Sequence, residues 1–290
     1  MKVTGFTFIR NAVKFDYPVA EAIRSILPVC EDFVVAVGNS DDNTEDLIRN
    51  IDRQKIKVIN TVWDDSPEMK ILGRVFASET DKAIKAIPDD SDWAFYIQGD
   101  EAVHEKYLNN IRNAMEKWKE DKQVDGLLFN YLHFYGSFDY VGVSQRWYRN
   151  EVRVIRNDKS IYSFRDAQGF RKGVNRKLKV KQVDACVYHY GWVKEPEMMV
   201  KKIRNTSTFY EGIEWLESAG KKQSFDYSSI DALNKFTGTH PEVMKERIRN
   251  KNWTFDHDMS YNKLPLKYRG KLFLKRYLHW NTFYENFTVI

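Results

Sequence analysis

Hydrophobic and polar positions alternate with two different periods along the first hundred residues. Val3 to Ile9 interleaves β-branched and aromatic residues and reads as a strand. Between Tyr17 and Leu27 the apolar positions Val19, Ala22, Ile23 and Ile26 have helical spacing. Asp32 to Gly38 is a short apolar run closed by glycine, the pattern of a strand buried on both faces. A polar turn follows at Asn39 to Thr44, then a helix over Glu45 to Ile51 and a strand at Lys57-Val58-Ile59. Met69 to Ile87 predicts one long helix, with Leu72, Val75, Phe76, Ala83 and Ile87 along one side. Trp93 to Ile97 predicts a fourth strand, which stops at Gln98-Gly99-Asp100-Glu101. Strands alternating with helices imply a mostly parallel central sheet covered on both faces, an α/β fold. Such sheets bind ligands at the carboxyl ends of their strands. The two acidic clusters, at residues 39–45 and at Asp100-Glu101, fall at those ends.

Beyond residue 120 strands dominate, at Gly126 to His133, Trp147 to Arg156, Ser160 to Phe164 and Lys177 to Val183. Glu195 to Leu216 and Pro241 to Asn250 read as helices. The chain therefore divides into an α/β region at 1–120 and a second region at 121–290, packed on it and ending in helices. Its 42% hydrophobic and 30% charged residues are ordinary for a globular chain of 290 residues. The net charge of +5 favours anionic ligands weakly and does not specify nucleic acid, which is not expected as a partner. Cys30 and Cys186 lack any metal or disulfide spacing and fit a reducing compartment. No apolar run is long enough for a signal peptide or a membrane span, so a cytoplasmic location is expected. The basic, aromatic tail from Leu264 to Trp280 is compatible with peripheral contact at the inner face of a membrane.

Five segments could carry chemistry. In Gln98-Gly99-Asp100-Glu101 a strand delivers adjacent carboxylates whose repulsion a hard cation would relieve; the same string also reads as a solvated acidic turn. Asp42 and Glu45 have the form of a helix cap, which leaves Asp41 free for a ribose or base. Arg74, early on an otherwise apolar helix face, could reach a phosphate or lie along the surface. Asp166 is the only acid between Arg165 and Lys181. Basic surroundings would depress its pKa and suit a general base, and a surface salt bridge would explain it equally. His189, between aromatics and before Gly191-Trp192, could be a metal ligand, could face a sugar, or could be a core histidine. No HExxH, GxSxG, P-loop or GxGxxG string is present.

In order and spacing these pieces resemble the family 2 glycosyltransferases, which have the GT-A fold. The strand leading into Arg10-Asn11 resembles the one that cradles the nucleobase. Gly38 to Thr44 resembles the family's Gly-Ser-Thr-Asp-Gly-Thr turn, with Asp42 on its Asp. Gly73-Arg74 resembles the Ala-Arg-Asn helix, and Asp92 to Glu101 the segment ending in Asp-x-Asp. The resemblance covers residues 3–105 well and 150–192 loosely. Gln98 replaces the first Asp of the metal motif, and Gln145-Arg146-Trp147 is only a fragment of the acceptor-side signature.

The resemblance implies an α/β enzyme that moves a sugar from a nucleoside diphosphate sugar to a hydroxyl of a glycan or glycoconjugate, with inversion. It implies Arg10, Asn11, Asp42, Arg74 and Asp100 at the donor, and Mn²⁺ or Mg²⁺ on Asp100 and Glu101. It places Asp166 as base, and His189 and Trp192 on the acceptor side. A sugar-nucleotide nucleotidyltransferase and a non-catalytic carbohydrate-binding relative are the competing readings.

Overall fold

The computed structural model describes residues 1–290 apart from 145, 231, 263–269 and 271–284. Strand β1 (Val3–Ile9) is followed by α1 (Val19–Ile26), β2 (Asp32–Gly38), α2 (Thr44–Arg49) and β3 (Ile56–Thr61). Next come α3 (Pro67–Lys70), α4 (Arg74–Lys85), β4 (Trp93–Tyr96), β5 (Glu101–Val103) and α5 (Leu108–Trp118). Strands β6 (Gly126–Tyr135), β7 (Tyr140–Gly142), β8 (Asn150–Arg156), β9 (Ile161–Phe164), β10 (Gly169–Lys172) and β11 (Arg176–Trp192) succeed them. The chain continues through α6 (Pro196–Ser207), α7 (Glu214–Gly220), β12 (Leu233–Lys235), α8 (Lys245–Arg249) and β13 (Phe287–Val289).

The sheet runs β3-β2-β1-β4-β8-β6-β11-β10-β9. β1 is parallel to β2 and to β4, and β2 is parallel to β3. This is the expected parallel core of a mixed α/β fold. β8 then runs antiparallel between β4 and β6, and β6 is parallel to β11. One sheet therefore crosses residue 120, with β6, β8 and β11 extending the order begun by β1 to β4.

Side-chain alternation divides the core. Phe33, Val35 and Val37 face one side, where Val19, Ile23 and Ile26 of α1 and Ile111 and Met115 of α5 cover them. Val34 and Ala36 face the other, with Ala83 and Ile84 of α4 and Phe170 of β10. Among the described residues no helix is long and apolar enough to cross a membrane. The tail proposed for membrane contact lies almost wholly outside them.

Two expected helices are each broken in two. The run from Met69 to Ile87 is interrupted because Leu72 (φ 55°) and Gly73 (φ 64°) both adopt left-handed backbone. Gly73 also has no room for a Cβ, which would lie 2.8 Å from the Tyr210 ring. The run from Glu195 to Leu216 breaks ahead of α7, where Gly212 has φ 70°. The strand expected from Trp147 begins at Asn150, and the Trp147 ring instead packs onto Gly142. β11 is much longer than expected. Its pairing with β6 slips between His189↔His133 and Trp192↔Tyr135, so one extra residue is held on the β11 side.

Candidate active site

Strand order reverses between β1 and β4, since β2 and β3 lie to one side of β1 and β4 to the other. The crevice at the carboxyl ends of such a pair is where open α/β sheets take ligands. A cleft opens there. Ile9 and Arg10 line it from β1, Gln98, Gly99 and Asp100 from the end of β4, and Asp166 from the turn before β10. Lys202, Asn205 and Thr206 of α6 line it from above. Phe8, Trp63, Phe76, Phe209 and Tyr210 form an aromatic wall, with Trp63 and Phe209 edge to face at 5.0 Å. The Arg10 guanidinium lies over Trp63, 5.7 Å from the ring centroid.

The adjacent acids Asp100 and Glu101 face opposite ways. Glu101 is fully buried and meets Arg153, itself fully buried. Arg153 Nε donates to Glu101 Oε2 at 2.9 Å and Nη2 to Oε1 at 2.7 Å, and the Tyr131 hydroxyl also donates to Oε1. Glu101 is thus a neutralised structural anchor and not the metal ligand expected from its position beside Asp100. Asp100 belongs to the turn that Glu101 N closes onto the Gln98 carbonyl, while Glu101 opens β5, so the two carboxylates leave the backbone in different directions.

Asp100 is aimed into the cleft. Its backbone carbonyl accepts from Tyr190 N at 2.7 Å, tying it to β11. Its carboxylate has two distinct sides. Oδ2 accepts from Lys202 Nζ at 3.0 Å, and Oδ1 lies 3.7 Å from His189 Nε2. Burial alone would raise this carboxyl, but the Lys202 ammonium outweighs it and holds the pKa well below the usual range. Burial works against the Lys202 charge in turn, and Asp100 more than restores it.

A chain of hydrogen bonds fixes the His189 tautomer. His133 Nε2 lies 3.0 Å from the Tyr148 carbonyl, which can only accept, so that nitrogen carries the proton. Burial lowers the His133 pKa well below its ordinary value and keeps the ring neutral. Its Nδ1 therefore accepts from His189 Nδ1, 3.3 Å away. Burial also lowers the His189 pKa, against the pull of Asp100; in the neutral ring this tautomer turns the Nε2 lone pair toward Asp100 Oδ1. Gly191 lets these side chains lie close against β11, since a Cβ there would sit 2.7 Å from both Asp100 Oδ2 and His189 Nε2. With Glu101 taken up by Arg153, Asp100 and His189 are the two side chains here that could hold a divalent cation, in place of the expected Asp100 and Glu101. Among the described residues no third protein donor joins them, which suits a metal that takes its other ligands from phosphate and water.

The remaining expected residues divide between the cleft and its supports. Arg10 and Asp166 line the cleft. The Tyr210 hydroxyl donates to Asp166 Oδ2 at 3.2 Å. Burial raises the Asp166 pKa, the reverse of the depression expected from its basic neighbours, because desolvation outweighs them. Asn11 and Asp42 instead knit two loops together. Asn11 Oδ1 accepts from Asp41 N at 2.9 Å. Asp42 Oδ2 accepts from Lys14 N at 2.7 Å, and Oδ1 from Thr44 N at 3.0 Å. Asp42 is a loop cap and does not line the cleft. Arg74 is exposed and outside the cleft wall. Trp192 packs with Tyr135, Trp147 and Phe225 in a satellite core and does not line this cleft.

The sequence does carry a signal for Lys202: with Asn205 and Thr206 it forms a polar stripe on α6, whose buried face carries Met199, Val200 and Ile203.

No family model matches the chain, and no curated protein matches it. Solved structures match part of its path. Staphylococcus aureus TarS, residues 1–349, aligns with 72% of this chain at 14% identity and a TM-score of 0.43. The match spans 65% of that TarS chain. 4-Diphosphocytidyl-2C-methyl-D-erythritol synthase from Anaerococcus prevotii aligns with 54% of this chain, and 71% of its own, at 11% identity and a TM-score of 0.33. Glucosyl-3-phosphoglycerate synthase from Mycobacterium tuberculosis, solved with Mn²⁺, uridine diphosphate and glucosyl-3-phosphoglycerate, aligns with 47% of this chain and 45% of its own, at 13% identity and a TM-score of 0.30.

Proposed function

We propose that this protein is a glycosyltransferase that moves a sugar from a nucleoside diphosphate sugar to a hydroxyl of a glycan or glycoconjugate. The observation that carries the reading is the pairing of Asp100 with the His189 Nε2 lone pair beside Gly191, at the crevice between β1 and β4. A diphosphate needs cationic neutralisation and a flat partner for its base. The aromatic wall with Arg10 supplies a stacking surface, and the strand-end crevice supplies the place.

Asp100 and His189 would hold Mn²⁺ or Mg²⁺. The bound metal would supply Lewis-acid neutralisation of charge on the departing diphosphate. Asp166 also lines the cleft, with Oδ2 held by the Tyr210 hydroxyl. It accepts the proton of the acceptor hydroxyl as that oxygen attacks the anomeric carbon. The new glycosidic C–O bond forms as the bond to the diphosphate oxygen breaks, and the electron pair leaves with the nucleoside diphosphate. A single displacement of this kind inverts the anomeric centre. Burial keeps the Asp166 carboxyl basic enough for the task.

The test is a hydrolysis and transfer screen over UDP-, GDP-, CDP- and ADP-sugars with Mn²⁺, on the wild type and on Asp100→Ala. One sugar nucleotide is expected to turn over, and the folded Asp100→Ala protein is expected to be inactive. Turnover retained in that variant removes the mechanism.

A further inference from the structure

The proposed donor site contains a cation of its own. Lys202 Nζ donates to Asp100 Oδ2 at 3.0 Å and to the Gly191 carbonyl at 2.8 Å, and lies 5.1 Å from the Tyr17 ring centroid. These contacts hold the ammonium at the cleft wall, on the opposite side of the Asp100 carboxylate from His189. The metal donors and the lysine therefore use different oxygens of one carboxylate. Neither has to leave for the other to act. An ammonium carries three donors, and two are committed to Asp100 and Gly191. The third is available to the cleft, where Gln98, Asn205 and Thr206 are polar neighbours and Asp166 is the other carboxylate in the lining.

We infer that Lys202 binds the diphosphate of the donor directly, as a built-in counter-ion working beside the metal site, so that nucleoside diphosphate binding persists when divalent metal is withdrawn. This rests on the nucleotide-sugar reading of the cleft and assigns within it a residue that α6 contributes. The position suits a point charge. A lysine lacks the fork that fixes a phosphate in one orientation, and so tolerates the charge migrating between diphosphate oxygens as the sugar leaves.

Isothermal titration calorimetry decides the matter. Wild type, Lys202→Met and Lys202→Arg are titrated with UDP, GDP, CDP and ADP, and with the corresponding nucleosides, once in EDTA and once in Mn²⁺. In EDTA the wild type is expected to bind one diphosphate more tightly than its nucleoside. Lys202→Met is expected to weaken that diphosphate by about ten- to a hundred-fold, the range for one charge-assisted bond, and to leave the nucleoside unchanged. Lys202→Arg should keep most of the affinity. Melting curves check that the variants fold. If Lys202→Met does not fold, the wild-type preference for diphosphate over nucleoside in EDTA, with Lys202→Arg, still decides. The inference is overturned if folded Lys202→Met matches the wild type in EDTA, if the wild type in EDTA shows no preference for the diphosphate, or if binding requires Mn²⁺. In those cases the donor reading survives, provided that one nucleoside diphosphate binds with Mn²⁺. Binding of none in either medium overturns both.

Discussion

Replacing Glu101 by alanine separates a structural acid from a chemical one. The carboxylate accepts two bonds from Arg153, at 2.9 and 2.7 Å, and both side chains are fully buried. Truncation leaves the guanidinium buried without its counter-charge, which costs about 3–5 kcal/mol. Unfolding entropy of ~2.1 cal/mol/K per residue gives ~0.6 kcal/mol/K for a chain of 290 residues. The melting temperature should therefore fall by ~5–8 °C. Differential scanning calorimetry on wild type and Glu101→Ala reads this directly, and Mn²⁺ titration of the folded variant reads the other half. Metal affinity should change little, because Asp100 and His189 are intact. The double variant Glu101→Leu with Arg153→Leu should recover much of the lost stability, since removing both charges leaves neither stranded. A Glu101→Ala protein that melts with the wild type yet no longer binds Mn²⁺ would refute the assignment and restore Glu101 as a ligand.

Three further outcomes follow from the same geometry. Gly191→Ala places a methyl 2.7 Å from Asp100 Oδ2 and from His189 Nε2; the protein should stay folded and lose Mn²⁺ binding by calorimetry. Asp166 must be ionised to act as base and its pKa is raised by burial, so kcat/KM should climb with pH through an inflection above the ordinary carboxylate range, and Asp166→Asn should abolish turnover rather than shift that limb. Glu151 is buried, its Oε2 has no hydrogen-bond partner among the described residues, and burial pushes its carboxyl up to about 8 from an ordinary 4.5. The folded state thus keeps a proton that the unfolded chain releases above the ordinary value, so this group's contribution to stability falls as pH rises from about 4.5 to about 8. Melting curves across that window should flatten in Glu151→Gln.

The parallel core was legible because buried strands announce themselves as apolar runs, as in Phe33 to Val37, and because α1 and α4 carry one apolar stripe each. The crevice followed from topology. What escaped was local backbone and distant contact. Leu72 in left-handed geometry has no signature, since a bulky residue there is rare and strained. Asp100 and Glu101 look like one motif in a linear string, whereas the first ends a turn and the second opens β5. Arg153, the partner of Glu101, and Lys202, the partner of Asp100, come from β8 and α6, and nothing in their spacing from β4 marks them. Asp42 fits neither the cleft that its resemblance implies nor the helix cap with Glu45: the residue before α2 is Asn43, Glu45 pairs with Arg49, and Asp42 closes a turn onto Thr44 and holds the Lys14 loop.

The irregularity near the end of β11 has a consequence for how this cleft could arise or be lost. With strict alternation Trp192 would turn away from the face that carries His189; the additional residue brings both back to it and leaves Gly191 as the gap between them. Shortening β11 by that single position would give a tidier ladder and part His189 from Asp100. Length at this one point, more than the identity of any acid, would then distinguish a relative able to hold a cation from one that has the same sheet and cannot.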